Sequence, residues 1–230
     1  MSKIHLVLFL VFSSLVFASD EPDLSPLLKQ FPQLKIQQIR EIPASGFWEL
    51  LTEQGEIYYV TDAVDFLFAG ELVEVASKDS LTEQRRQALR SDLLRDTPTD
   101  ILQFKAEKER FEITVATDID CAYCRRLHQQ MADFNNVGIS VNYLLMPRAG
   151  LSSESGVKAR NALCAKRPRV ALTAAMAGQA LDTANCDHSL ARQRDLAVRL
   201  GVTGTPTIFL DDGQMIPGYL SPTQLLARFQ

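Results

Sequence analysis

Runs of apolar residues separated by turn signals begin early in the chain. After a short helical stretch, Phe47-Trp48-Glu49-Leu50-Leu51 is followed by Gln54-Gly55 and then Glu56-Ile57-Tyr58-Tyr59-Val60. Two such runs joined by a few residues containing Gly predict a β-hairpin. Phe66-Leu67-Phe68 and Leu72-Val73-Glu74-Val75, flanking Gly70, predict a second. A helix follows, because Ser80-Leu81-Thr82-Glu83 fits a capping box in which the Ser hydroxyl and the Glu carboxylate each satisfy a free backbone N–H. It continues without Gly or Pro to Asp96 and stops at Thr97-Pro98. Only Leu81, Ala88, Leu89, Leu93 and Leu94 are apolar along it, so a solvated spacer between two domains is favoured over a packed helix.

The second half alternates strand and helix. Phe111-Glu112-Ile113-Thr114-Val115 reads as a strand, a helix opens near Cys121, and Ile139 to Met146 reads as the next strand. Residues 153–200 are mainly helical, with breaks near Pro168 and Gly178 and a helix C-cap at Gly201. Asp211-Asp212-Gly213 joins Thr207-Ile208-Phe209-Leu210 to Gln214-Met215-Ile216 as a hairpin turn, and Ser221-Pro222 starts a last helix. This order predicts a mixed sheet covered by helices.

Composition adds limits. The 230 residues are 46% hydrophobic and 23% charged, an ordinary globular balance, and the net charge of −4 argues against a general nucleic-acid binder. Lys3, an apolar run from Leu6 to Val16, and the small residues Val16 and Ala18 form the pattern of a secretory signal peptide over residues 1–18, cleaved after Ala18. The run is shorter than the roughly 20 residues of a spanning helix. An exported chain can form and keep disulfides. Residues 19–80 hold 12 acidic and 4 basic side chains, a net of −8, whereas residues 106–230 carry a net of +2. The asymmetry predicts two domains, over 19–79 and 106–230, with a linker helix and connector over 80–105. The first domain has a small core, and an exposed strand edge in it invites pairing with a second chain.

All four cysteines lie after residue 120. Cys121-Ala122-Tyr123-Cys124 follows a strand and opens a helix, where free N–H groups and the helix dipole favour a thiolate. Arg125 and Arg126 add positive charge, and Asp120 opposes them. A c-type haem site needs His directly after the second Cys, and Arg125 stands there. A zinc site would need two more ligands from Cys164, Cys186 or His128. The redox-active pair is favoured over both, so no cofactor or metal is expected. Four cysteines allow three pairings. Pairing Cys164 with Cys186 leaves Cys121 and Cys124 free to cycle, and reads as a structural bridge. His128, four residues after Cys124, reads as a packed histidine rather than a catalytic one. Thr203-Gly204-Thr205-Pro206-Thr207 precedes an apolar strand, and spacing alone leaves the isomer of the Pro206 bond open.

The CxxC at a strand-to-helix junction with a later Thr-Pro resembles the thioredoxin superfamily. More closely, TDIDCAYCRRLHQQMADFNNVGISVNYLLMPRAG, CAK, MAG, NCD, GVTGTP and PGY resemble the DsbC/DsbG family of periplasmic disulfide isomerases, over nearly all of the chain after residue 18. The resemblance implies an α+β protein. Its parts would be a thioredoxin-like catalytic domain with a helical insertion, a small cystatin-like N-terminal dimerisation domain and a linker helix. It also implies a homodimer acting on misoxidised exported proteins, with an inner-membrane thiol reductase of the DsbD type as electron donor. By the same resemblance Cys121 is the attacking thiolate, Cys124 the resolving thiol, Thr205-Pro206 a cis-Pro loop that with Tyr123 bounds the client surface, and Cys164–Cys186 the structural bridge. Two residues depart from the family pattern: Ala122 stands where Gly is usual and Asp120 where Thr is usual. A monomeric thiol oxidase of the superfamily would share the CxxC but has no need of residues 19–80. A holdase chaperone with an incidental CxxC is a third reading.

Overall fold

The computed structural model describes residues 21–229, which fall into two compact units meeting in sequence at Gly70 and Glu71. The leader expected over residues 1–18 lies outside the described residues.

The first unit is a helix and an antiparallel sheet. α1 (Ser25–Gln30) starts on Pro26, where the fixed φ of proline suits a first helical turn. β1 (Ile36–Ile42), β2 (Phe47–Thr52), β3 (Ile57–Thr61) and β4 (Leu67–Phe68) pair in that order. Trp48 of β2 buries its ring with Leu24, Leu27, Leu50 and Val60, and its indole N–H donates to Asp62 Oδ1 at 3.0 Å. The first expected hairpin is β2–β3, with Leu50 opposite Tyr58.

The second expected hairpin does not form. β4 pairs with β3, and Val73 makes only a single bridge, to Ser80. The physical reason is competition for backbone groups. Leu72 N–H donates to Thr82 Oγ1 and Leu72 O accepts from Leu81 N, both at 2.8 Å, so this segment is tied to the start of the next helix.

That helix, α2 (Leu81–Arg95), belongs to the second unit. Ser80 caps it, accepting from Glu83 N at 3.0 Å. The reciprocal half of the expected capping box is replaced: the Glu83 carboxylate pairs with Arg90 instead. The helix is also not a solvated spacer. Arg90 is buried and its Nε donates to Gly213 O at 2.8 Å, Gln87 reaches Asp212 at 2.9 Å, and Ser91 Oγ donates to Asp211 O at 3.1 Å. Leu93 and Leu94 also pack against the core around Phe209, and counting apolar residues missed the docking because few of them are needed where polar side chains reach the carbonyls and the acidic side chain of a hairpin turn.

The sheet of the second unit is built from β5 (Leu102–Phe104), β6 (Phe111–Thr117), β7 (Ile139–Leu145), β8 (Thr207–Leu210) and β9 (Met215–Pro217), in the order β5-β7-β6-β8-β9. β6 and β7 run parallel at the centre, and the other neighbours are antiparallel. β7 is buried at every position, as a strand covered on both faces must be. Ile113 and Val115 of β6 face a core with α3 (Ala122–Gln129) and α4 (Met131–Asn136), while Ala116 faces a second core with Leu144 and Phe209. Between β7 and β8 the chain inserts α5 (Glu154–Leu163), α6 (Pro168–Met176) and α7 (Leu190–Arg199). The break at Pro168 is short, because proline opens α6. The one after Gly178 is longer than expected and carries the chain to Ser189. α8 (Pro222–Leu226) closes the chain with a full capping box from Ser221 and Gln224.

The α2 contact rests on one glycine. Gly213 has φ +87°, and a Cβ there would clash with the Gln87 carbonyl and stand 2.7 Å from Ser91 N. Gly213→Ala should therefore destabilise the second unit by roughly 2–4 kcal/mol in urea unfolding, from overpacking plus a strained left-handed conformation. A change within about 0.5 kcal/mol, the range of an ordinary surface substitution, would contradict the docked helix.

Candidate active site

β6 ends at Thr117 and α3 begins at Ala122, and the short junction between them makes the site. Cys121 is the N-cap of α3, with φ −87° and ψ 124°. Its own N–H donates to Asp118 O at 3.1 Å, which closes the turn. The Asp118 side chain is buried and fully engaged. One oxygen accepts from Asp120 N at 2.9 Å, and the other from Arg148 N at 2.9 Å and Arg148 Nε at 3.2 Å. The strand exit is thus fixed by a carboxylate and the sulfur sits where the helix offers free N–H groups.

The two thiols are both unbridged, and their surroundings are unequal. Burial would raise the Cys121 pKa. It is outweighed by hydrogen bonds from the Cys124 backbone and thiol, from Thr205 and from the Tyr123 N–H, so the thiol lies below its ordinary value. Cys124 is one turn further in. Burial pushes it up to about 11, although the Asp118 N–H donates to its sulfur at 3.5 Å. The more exposed sulfur is therefore the more acidic one.

The arginines of the CxxC motif do not supply this effect. Arg125 Nε donates to Ile119 O at 2.8 Å, its Nη2 pairs with Asp120 at 2.8 Å, and Arg126 lies over the Tyr219 ring at 4.9 Å. Asp120 is held a second time by Lys158 at 2.9 Å. Its charge is thereby met by two cations, and the expected rise in thiol pKa from Asp120 does not prevail at Cys121.

Across from the sulfurs lies the loop before β8. The Thr205–Pro206 bond is cis, and Cys121 Sγ donates to Thr205 O at 3.2 Å. Gly218 N donates to Pro206 O at 2.8 Å and Thr207 Oγ1 to Gly204 O at 2.7 Å, which ties the loop to β9 and to itself. A cleft of about 230 Å³ runs along it, lined by Gly204, Thr205, Pro206, Met215 and Pro217. Tyr123 stands exposed on α3. Cys164, the C-cap of α5, is bonded to Cys186 in the segment before α7, with Cα atoms 5.5 Å apart. In the chain-entropy picture this bridge contributes roughly 3 kcal/mol.

His128 is a core residue. Its ring nitrogens pair with Tyr143 Oη at 3.2 Å and Thr173 Oγ1 at 2.9 Å, Phe104 meets it edge-on, and burial pushes its pKa down to about 4. The sequence reading passed over Asp118, Arg148 and Lys158. Asp118 carried a signal: an Asp at a strand end, two residues before the turn closes, is a common local cap for backbone N–H groups.

Comparison with known proteins places these features. Residues 97–230 match the thioredoxin-like domain family, and residues 17–83 match the disulfide bond isomerase protein N-terminal domain family. The chain is 34% identical over 218 residues to the thiol:disulfide interchange protein DsbC of Escherichia coli K12, covering 95% of this chain and 90% of that one. It is 35% identical over 219 residues to the DsbC of Salmonella typhimurium, covering 94% and 90%. Among solved structures, the thiol-disulfide exchange protein alpha-DsbA2 of Wolbachia pipientis superposes with a TM-score of 0.52 at 15% identity, over 65% of this chain and 97% of that one, a likeness of fold.

Proposed function

The chain belongs to the DsbC family, and from its thiol–disulfide interchange activity we propose the roles of its residues. Cys121 is the nucleophile. As a thiolate it attacks a disulfide in a misoxidised exported protein, and the mixed disulfide forms at the open end of α3. A client thiol then resolves it to a new pairing, which is isomerisation, or Cys124 resolves it, which is reduction. The carrying observation is the Cys121 sulfur at a helix N-cap, 3.2 Å from the carbonyl that precedes a cis-proline. A client strand would lie along Thr205-Pro206 and against Tyr123, beside the sulfur it exchanges with. Thiolate stabilisation favours the reduced dithiol, the form an isomerase must present. Cys164–Cys186 is structural.

The same reading takes residues 19–79 as a dimerisation domain and 106–230 as the catalytic domain, with the helix and connector 80–105 between them. At the β4 edge of the sheet Phe66 and Phe68 are exposed, an apolar surface for a second chain to cover. No helix among the described residues is long and apolar enough to cross a membrane. The leader is removed after Ala18 on export to the periplasm, where an inner-membrane reductase of the DsbD type returns electrons to the pair.

Two measurements test this. Cys124→Ala should trap mixed disulfides with a scrambled multi-disulfide client, released by dithiothreitol, while Cys121→Ala should trap none; equal trapping by both variants would sink the assignment of roles. Sedimentation of the mature chain at micromolar concentration should give a dimer. A monomer there would refute the dimerisation domain and favour a thiol oxidase.

A further inference from the structure

Resolution by Cys124 needs a thiolate at the worse placed of the two sulfurs. Cys121 lies beside it on α3 and Tyr143 faces it from β7, with its hydroxyl held to His128. Arg148, from the loop after β7, is half-exposed and committed to Asp118. The Asp118 main chain supplies one N–H, while its carboxylate is occupied by Asp120 N and Arg148. Among the described residues no free carboxylate is placed beneath Cys124 to take its proton, and the positive charge that reaches its sulfur is that of Arg148, already shared with Asp118 and Cys121.

Thr117, the last residue of β6, is 1% exposed and shares with Ile113 and Val115 the sheet face against which Cys124 packs. The N–H of the next residue, Asp118, donates to the Cys124 sulfur at 3.5 Å, and the Thr117 side chain, turned toward that sulfur, acts as a hydrogen-bonding group that lowers the thiol's pKa. Outside that approach to the sulfur, the Thr117 Oγ1 is without a partner among the described residues. A buried hydroxyl without a partner is uncommon, and one beside a reacting sulfur asks for a reason. The Thr205 side chain acts in the same direction on both thiols and has no other partner among the described residues, but it belongs to the loop already given to the client.

We propose that the Thr117 hydroxyl donates a hydrogen bond to the Cys124 sulfur as that sulfur becomes a thiolate, making Thr117 a catalytic residue of the resolving step. This rests on the roles given above to Cys121 and Cys124. In that step the Cys124 thiolate attacks the Cys121 sulfur of the mixed disulfide. The Cys121–Cys124 bond forms, the Cys121–client bond breaks, and the client sulfur leaves with the electron pair. The dithiol loses two electrons and the client disulfide gains them. The proton from Cys124 goes to solvent, and the client thiolate takes one back. The Thr117 proton stays on its oxygen; the hydroxyl only turns toward the charge, as a rotor of this kind can.

The test uses the full mature chain and a fluorescent glutathione disulfide. Formation of the Cys121 adduct and its later resolution by Cys124 are followed separately across pH. Thr117→Val should slow resolution by about tenfold, in keeping with a lost hydrogen bond to a charged group, and move its pH profile upward, with adduct formation unchanged. Thr117→Ser, which keeps the hydroxyl and fits the same space, should resolve near the wild-type rate. Wild-type resolution and pH profile in Thr117→Val would overturn the inference. Equal slowing in Thr117→Ser and Thr117→Val would also overturn it, since packing rather than the hydroxyl would then be the cause. If Cys124→Ala forms no Cys121 adduct at all, the roles beneath the inference fall, and the inference with them.

Discussion

The structure depends on the turn that carries the chain from β6 into α3. Asp118 closes that turn with its carbonyl and locks it with its carboxylate, so that Cys121 arrives at the helix N-cap and Cys124 one turn below. A one-turn spacing then separates two environments. The N-cap sulfur receives the N–H groups that no helix can satisfy internally, and the second sulfur is enclosed by the core. The difference in reactivity between chemically identical side chains follows from position alone.

The rest of the second unit keeps that junction rigid and leaves its mouth open. β7 runs parallel to β6 and supplies Met146 N to Thr117 O at 2.7 Å, which pins the strand end. β8 and β9 hold the cis-proline loop opposite Cys121, and α2 braces the turn between them. The inserted helices are joined by the Cys164–Cys186 bridge at a distance from the cycling pair in sequence, so one disulfide stabilises while the other exchanges. Asp120, one of the two departures from the family pattern, comes with two cations that absorb its charge.

Much of this was legible in the sequence, and what was not has physical reasons. The CxxC, the Thr-Pro, the Asp-Asp-Gly turn and the capping residues Ser80 and Ser221 are local signals, and their structures are local too. The β4 hairpin was misread because Leu72 gives its backbone bonds to Thr82 and Leu81 rather than to the neighbouring strand. The α2 helix was misread because its docking needs only Leu93 and Leu94 from its apolar positions and is completed by polar contacts to a turn some 120 residues away in sequence. Asp118, Arg148 and Lys158 escaped notice for the same reason: their meaning lies in partners that only the fold brings near. The isomer of Pro206 could not be read from spacing, since both isomers fit a strand entrance.

The central claim is that the junction splits the two thiols. The direct measurement is a pH titration of the reduced mature chain carrying ¹³C-labelled cysteines, read at each Cβ. A lowered pKa means that the thiolate forms at lower pH, so Cys121 should titrate first, below the ordinary thiol value, and Cys124 should remain a thiol until pH approaches about 11. Between the two steps the protein holds one thiolate and one thiol. A single shared transition at the ordinary value, or Cys124 titrating before Cys121, would contradict the account.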